Sequence, residues 1–165
     1  MTKRIGIISD THGFWDEAFE RYFSSCDEIW HAGDIGNLEV TDKLNKIAPL
    51  KAVYGNIDHN EIRQEFTENL YFKINNQKIM ITHIAGKLGN YYKKCQDKIS
   101  SYNPTILLCG HSHICKVAYD ERYKLLYINP GAAGIIGFHK VRTIIRLEIT
   151  KAAIENLEVI ELKRK

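Results

Sequence analysis

The sequence predicts an α/β fold with two sheets, and two observations carry that prediction. Over the first third, short apolar runs alternate with stretches of helical spacing. A β-α-β-α-β order of this kind builds parallel strands with right-handed crossovers. Further on, strand-like runs pair up around turn residues, as hairpins do. No linker, repeat or low-complexity tract interrupts the chain, so one domain is expected over residues 1–165. A chain of this size buries roughly 70% of its unfolded surface on folding, enough for a core without staples.

Taken in order, Ile5 to Ser9 is a short β-rich run ending at Asp10-Thr11-His12-Gly13. Asp16 to Ser25 has helical spacing, with Phe19, Tyr22 and Phe23 on one face. Asp27 to His31 predicts a second strand, closing on Ala32-Gly33-Asp34. Leu38 to Ala48 predicts a second helix, stopped by Pro49. Leu50 to Tyr54 predicts a third strand that runs into Gly55-Asn56-Ile57-Asp58. Leu70 to Ile74 and Lys78 to Thr82 flank Asn75-Asn76-Gln77, where asparagine takes the positive φ of a hairpin turn. Asn90 to Ser101 predicts a helix broken at Asn103-Pro104, followed by a buried strand from Thr105 to Cys109. Ile114 to Ala118 and Lys124 to Ile128 predict a hairpin around Tyr119-Asp120-Glu121. Asn129 to Gly134 reads as a small-residue loop, and Val141 to Ile149 and Ile154 to Leu162 as two closing strands.

Composition excludes several classes of function. A formal charge of +3, from 23 basic and 20 acidic residues, is no nucleic-acid signature. The one basic cluster, Lys163 to Lys165, reads as a solvated end. Four cysteines without CxxC spacing read as reduced thiols, buried at Cys26 and Cys109. The apolar run near the start is too short for a signal peptide, and no segment approaches a membrane span. A cytoplasmic protein is the expectation. HExxH, GxSxG and GxxxxGK are all absent, which removes zinc peptidases, serine hydrolases and P-loops.

Chemistry concentrates where strands end. Leu107 to His113 reads LLCGHSH, a buried strand, a glycine where the chain leaves the sheet, and two imidazoles one residue apart. Asp10 and His12, Asp34, Asn56 and His83 likewise follow apolar runs. Loops at the carboxyl ends of strands in open α/β sheets gather at one edge, where ligands bind. Seven nitrogen and oxygen donors exceed the four that one zinc takes, and they suit two metals sharing a bridging carboxylate. Such a pair clamps the attacking and leaving oxygens of an in-line displacement.

DTHG at 10–13, GD at 33–34, GNID at 55–58, His83, GHSH at 110–113 and NPG at 129–131 resemble the calcineurin-like metallophosphoesterases. The small single-domain phosphodiesterase branch is the nearest match, over nearly the whole chain. The resemblance implies a four-layer αββα sandwich of two mixed β-sheets flanked by helices. It implies that Asp10, His12 and His113 hold one metal, that Asn56, His83 and His111 hold the other, and that Asp34 bridges them. Asn56 and His111 would also meet the substrate phosphate, with Asp58 orienting the metal ligands. Two divalent ions are implied as well, manganese first, with nickel, zinc, iron, cobalt or magnesium as alternatives. The implied reaction is hydrolysis of a small phosphodiester, and less well a phosphomonoester, by in-line attack of a metal-bound hydroxide. Branch members commonly self-associate, so the resemblance also implies a homodimer or homotetramer.

The chain departs from that pattern at Ile57, where many family members carry a histidine that protonates the leaving group. Protonation of this kind is worth about 10²–10⁴-fold, so good leaving groups should be favoured. His83 is followed by Ile84-Ala85-Gly86 instead of an immediate glycine, and Ala85 to Asn90 takes no prediction. His31 reads as structural, His59 as a surface residue at a helix start, and Tyr91, Tyr92 and Lys93 as helix packing. The sequence leaves His139 undecided between substrate and solvent. Gly33, Gly55 and Gly110 read as tight turns beside the metals. The second reading is a non-catalytic protein-interaction scaffold, like the retromer subunit that shares the fold. A complete ligand set of four histidines and two aspartates speaks for the enzyme.

Overall fold

The computed structural model describes residues 1–164, so Lys165 of the terminal basic run lies outside the described residues. The fold grows from strand pairs. β1 (Lys3–Ile8), β2 (Glu28–His31) and β3 (Leu50–Ala52) are parallel neighbours, as their β-α-β-α-β order predicts. β11 (Arg142–Ile149) returns to pair antiparallel with β1, and β12 (Ile154–Leu162) closes the edge, giving the order β12-β11-β1-β2-β3. In the second sheet β5 (Gln77–Thr82), β8 (Ile106–Leu108) and β10 (Leu125–Pro130) run parallel. β4 (Asn69–Ile74) and β9 (Cys115–Asp120) flank them antiparallel.

Period-two alternation sorts the side chains into layers. Ile5, Ile7 and Trp30 of the first sheet pack against Ile79, Ile81, Ile106 and Ile128 of the second. On the far side of the first sheet, Ile8 and Ile29 meet α1 (Glu17–Phe23) and α2 (Leu38–Ile47) through Phe19, Phe23 and Leu44. On the far side of the second, Met80 and Leu107 meet Cys95 and Ile99 of α4 (Lys93–Tyr102). Helix, sheet, sheet, helix is the four-layer sandwich expected. Among the described residues no helix is long and apolar enough to cross a membrane.

Several boundaries differ from the sequence reading. Asn90 and Tyr91 do not begin a helix. They form β7 (Asn90–Tyr91), which pairs with β6 (Gly86–Lys87) in a small hairpin where positive φ at Gly86 and Gly89 allows the turn. The phenol of Tyr91 is buried and donates to Asp120 at 2.6 Å, which keeps that residue out of the helix face. Asn129 and Pro130 still belong to β10, and the loop begins only at Gly131. α3 (Asn60–Glu65) is a six-residue helix with one buried apolar side chain, Ile62, too little periodicity to read from sequence. Nor is the terminal run merely solvated, because Arg164 donates to the carbonyls of Ile135, Gly137 and His139.

Candidate metal centre

Within each sheet the three parallel strands end on the same side. Five of those six ends lead into the candidate ligands, and the sixth, that of β10, carries the NPG turn. Backbone bonds stitch the loops together: Asp10 N to Gly33 O and His12 N to Asp34 O at 3.0 Å, and Gly110 N to His83 O at 3.0 Å. Five of the seven candidate ligands, Asp10, His12, Asp34, His111 and His113, have positive φ. Non-glycine residues adopt that region at a cost of order 1–3 kcal/mol each, so the packing around them must hold them there. Gly55 leaves room for this crowding, since a Cβ on it would run into the Asp34 carboxylate.

Two groups of donor atoms result. Asp10, His12 and His113 present ligand atoms within 4.8 Å of one another, and so do Asp34, His83 and His111. In the first group His113 Nε2 lies 3.2 Å from Asp10 Oδ1. In the second, His83 Nε2 is 3.2 Å from Asp34 Oδ2. Asp34 Oδ2 also stands 3.5 Å from His12 Nε2, so one carboxylate oxygen faces both groups. Asn56 Oδ1 completes the second group, 3.1 Å from His83 Nε2 and 3.0 Å from His111 Nδ1. All seven residues named from the sequence are brought together.

These donors fit divalent cations. Asp10 Oδ1 and His12 Nε2 are buried with no hydrogen-bond partner, a costly state unless something positive satisfies them. His83 Nδ1–H donates to Ala32 O at 2.8 Å, which leaves the neutral ring's Nε2 a lone pair facing Asn56 Oδ1 and Asp34 Oδ2. The alternative to an ion is a proton on Nε2, bonded to Asp34: burial would lower the His83 pKa, yet that bond and the charges of Asp10 and Asp34 outweigh it and raise it. Burial likewise opposes ionisation of Asp34, but the His83 hydrogen bond prevails and holds its pKa low. The centre attracts positive charge. At His111, burial and the neighbouring His83 lower the pKa and favour a neutral, ligating ring.

The sequence model of the calcineurin-like phosphoesterase superfamily domain matches residues 4–152. The chain belongs to the calcineurin-like phosphoesterase superfamily. It is 31% identical over 163 residues to a probable metallophosphoesterase of Mycoplasma pneumoniae, covering 95% of this chain and 96% of that one. It is 33% identical over 144 residues to a probable metallophosphoesterase of Methanocaldococcus jannaschii, with 79% and 68% covered. Solved structures share the fold at lower identity. A predicted phosphoesterase of Streptococcus pneumoniae has a TM-score of 0.70 at 23% identity, with 99% and 91% covered. Wild-type Vps29 of Entamoeba histolytica complexed with zinc scores 0.74 at 18% identity, with 98% and 99% covered.

The surroundings of this superfamily site hold residues that ligand spacing alone does not reveal. Asp58 is buried and accepts the backbone amides of Ile35, Gly36 and Gly55, tying the Asp34 loop to the Asn56 loop. Ser9 Oγ donates to Asp10 Oδ2 at 2.6 Å. Asn129 donates to Gly110 O at 2.9 Å and Ser112 Oγ at 3.0 Å, pinning the GHSH turn; its NPG setting is the only sequence signal for it. His31 has both nitrogens engaged, Nδ1 accepting from Gly33 N and Nε2 donating to Thr11 Oγ1, so it has none left for a metal. His59 is exposed at the start of α3. His139 is decided by packing: its Nε2 donates to Gly134 O at 2.8 Å and its ring lies 5.2 Å from that of His113.

Proposed function

We propose that the chain is a binuclear metal-dependent phosphoesterase that prefers phosphodiesters to phosphomonoesters. The observation that carries the reading is the placing of Asp34 Oδ2 between the two donor groups. Two divalent ions held there would supply Lewis-acid polarisation of the phosphoryl oxygens and would activate a water for in-line displacement. Asp10, His12 and His113 would hold one ion and Asn56, His83 and His111 the other, with the Asp34 carboxylate shared between them. Manganese is the first candidate. Zinc, named with one structural relative, is another, as are nickel, iron, cobalt and magnesium, all compatible with imidazole and carboxylate donors. Residues 1–165 act as one domain.

The chain's own groups do the rest. Asn56 keeps its Nδ2 free of partners among the described residues, available to donate to a phosphoryl oxygen. Asp58 does not touch the reacting atoms; it holds the two loops that carry Asp34 and Asn56. Ile57 contributes only its backbone amide, donated to Asp34 Oδ1 at 3.1 Å, so no acid stands where a leaving group would need a proton. Diesters with acidic leaving groups suit such a site best.

A second reading, a protein-binding scaffold, draws on Phe138 and Ile114, both exposed beside His111 and His113. Hydrolysis of bis(p-nitrophenyl) phosphate and of p-nitrophenyl phosphate, by metal-stripped protein and after adding back Mn²⁺, Ni²⁺ or Zn²⁺, separates the two. Metal-restored diester cleavage that His113→Ala abolishes supports the enzyme. Two ions bound with no turnover of either ester supports the scaffold.

A further inference from the structure

The metal centre opens on one side into a cleft of about 330 Å³ that shares Asn56 and His83 with it. Its far wall is basic. Lys94 is paired with Glu68 at 3.2 Å, but Lys98 has no acidic partner among the described residues. Arg63 has none either. Its Nε donates to Asp58 O at 2.6 Å, its Nη2 faces the carbonyls of Gly55 and Asn56, and the guanidinium lies 4.6 Å over the Tyr54 ring. Carbonyls and an aromatic face hold that group in place without neutralising it. Past Lys94 and Lys98 the surface continues into a second hollow, bounded by Tyr71 and Tyr102, whose rings sit edge to face at 5.0 Å.

From this we infer that the cleft binds a second phosphate of the substrate, so that the substrate is a phosphodiester carrying another phosphate group, of the size of a phosphorylated dinucleotide. The inference rests on the phosphodiesterase reading of the metal centre. A fixed guanidinium whose Nη1 has no hydrogen-bond partner among the described residues can donate to a phosphate, and an unpaired lysine beside it adds charge without geometric demand. A phosphodiester without a second phosphate would find its counter-charge at the metal centre and would have no use for either. The hollow beyond offers aromatic edges to the part of the molecule past the second phosphate. Arg63 also braces the Asn56 loop, so its loss alone would not separate recognition from folding. Lys98, on α4, makes no hydrogen bond or ion pair to the loops of the metal centre among the described residues and does separate them.

The test compares the dinucleotide ApA with 5′-phosphorylated pApA, which have the same scissile bond and differ by one phosphate. With metal-loaded protein, pApA should be cleaved with a kcat/KM about tenfold higher, expressed in KM, as expected of charge-assisted contacts at a partly exposed site. Uncleavable methylphosphonate analogues of the same pair should show the same preference in calorimetric binding. Lys98→Ala should collapse both ratios toward one, and Arg63→Gln should do the same, whereas Lys151→Ala on the opposite surface should leave them in place. Equal KM and equal binding for the two compounds, with bis(p-nitrophenyl) phosphate still cleaved, would overturn the inference and leave the phosphodiesterase standing. Preferential binding of the phosphorylated analogue without cleavage of any diester would keep the cleft and overturn the phosphodiesterase.

Discussion

Asn56 Oδ1 and His83 Nε2 lie 3.1 Å apart, and with the His83 ring neutral and its one proton on Nδ1, bonded to Ala32 O, they have no hydrogen to share. Two acceptors facing each other repel, and Asp34 Oδ2, 3.2 Å from the same nitrogen, adds a second such contact. A cation placed among these atoms turns the unfavourable contacts into ligand bonds.

Metal removal should therefore cost stability. A ligand at 100 times its Kd stabilises by about 2.7 kcal/mol, and for about 150 residues each kcal/mol moves Tm by about 2–4 °C. Calorimetry with and without a chelator should show a drop of at least about 5 °C. An unchanged Tm in protein stripped of metal would mean that the acceptors are satisfied some other way.

Asp58→Ala should damage the site without touching a ligand. The carboxylate satisfies three amides, two of them buried, and leaving one buried donor unpaired costs about 1–3 kcal/mol. Urea unfolding should show a loss of roughly 3 kcal/mol, partly relieved by water, and metal affinity should fall with it. Wild-type stability in this variant would show that the two loops are held by other contacts.

Ile57→His tests the leaving-group argument directly. A histidine at this position should raise kcat/KM for an ester with a poor leaving group, such as phenyl phosphate, by about tenfold or more while changing p-nitrophenyl ester cleavage less, in line with the 10²–10⁴-fold typical of proton transfer. A wild-type enzyme that already favours monoesters would point to another donor.

Acid should weaken the fold through His31. Burial first of all lowers its pKa to about 4, against the raising effect of Asp58 and Asp10. Unfolded, the ring takes a proton near pH 6.5; folded, it stays neutral down to about pH 4, so the unfolded state binds more protons between these values. Stability should be flat above pH 6.5 and decline by roughly 3 kcal/mol between pH 6.5 and 4, at 1.36 kcal/mol per pH unit. His31→Gln should show a shallower decline over that window, and an equal slope would remove His31 as its source.

The strand ends were legible because ligand chemistry and strand periodicity coincide there. Asp10, Asp34 and His83 each follow an apolar run, and a polar donor in that place has few structural uses. What escaped was set by contacts distant in sequence. Arg142 reads as one more strand residue, yet it is fully buried, donates to Ala133 O at 2.7 Å and to Asp16 Oδ2 at 2.8 Å, and stacks on Phe14. Tyr91 carries a helix former's neighbours but is drawn into a strand by Asp120. The place of β11 beside β1 depends on a return of more than a hundred residues, which no local pattern encodes. Arg63 belongs to a helix too short for periodicity to reveal, and its importance lies in the carbonyls it meets.

Metal stoichiometry tests the central claim most directly. Elemental analysis of protein reconstituted with Mn²⁺ and freed of excess ion should give two ions per chain, and one or none for Asp34→Ala, whose oxygen faces both donor groups. One ion or none in the wild type, or two retained without Asp34, would contradict the binuclear account.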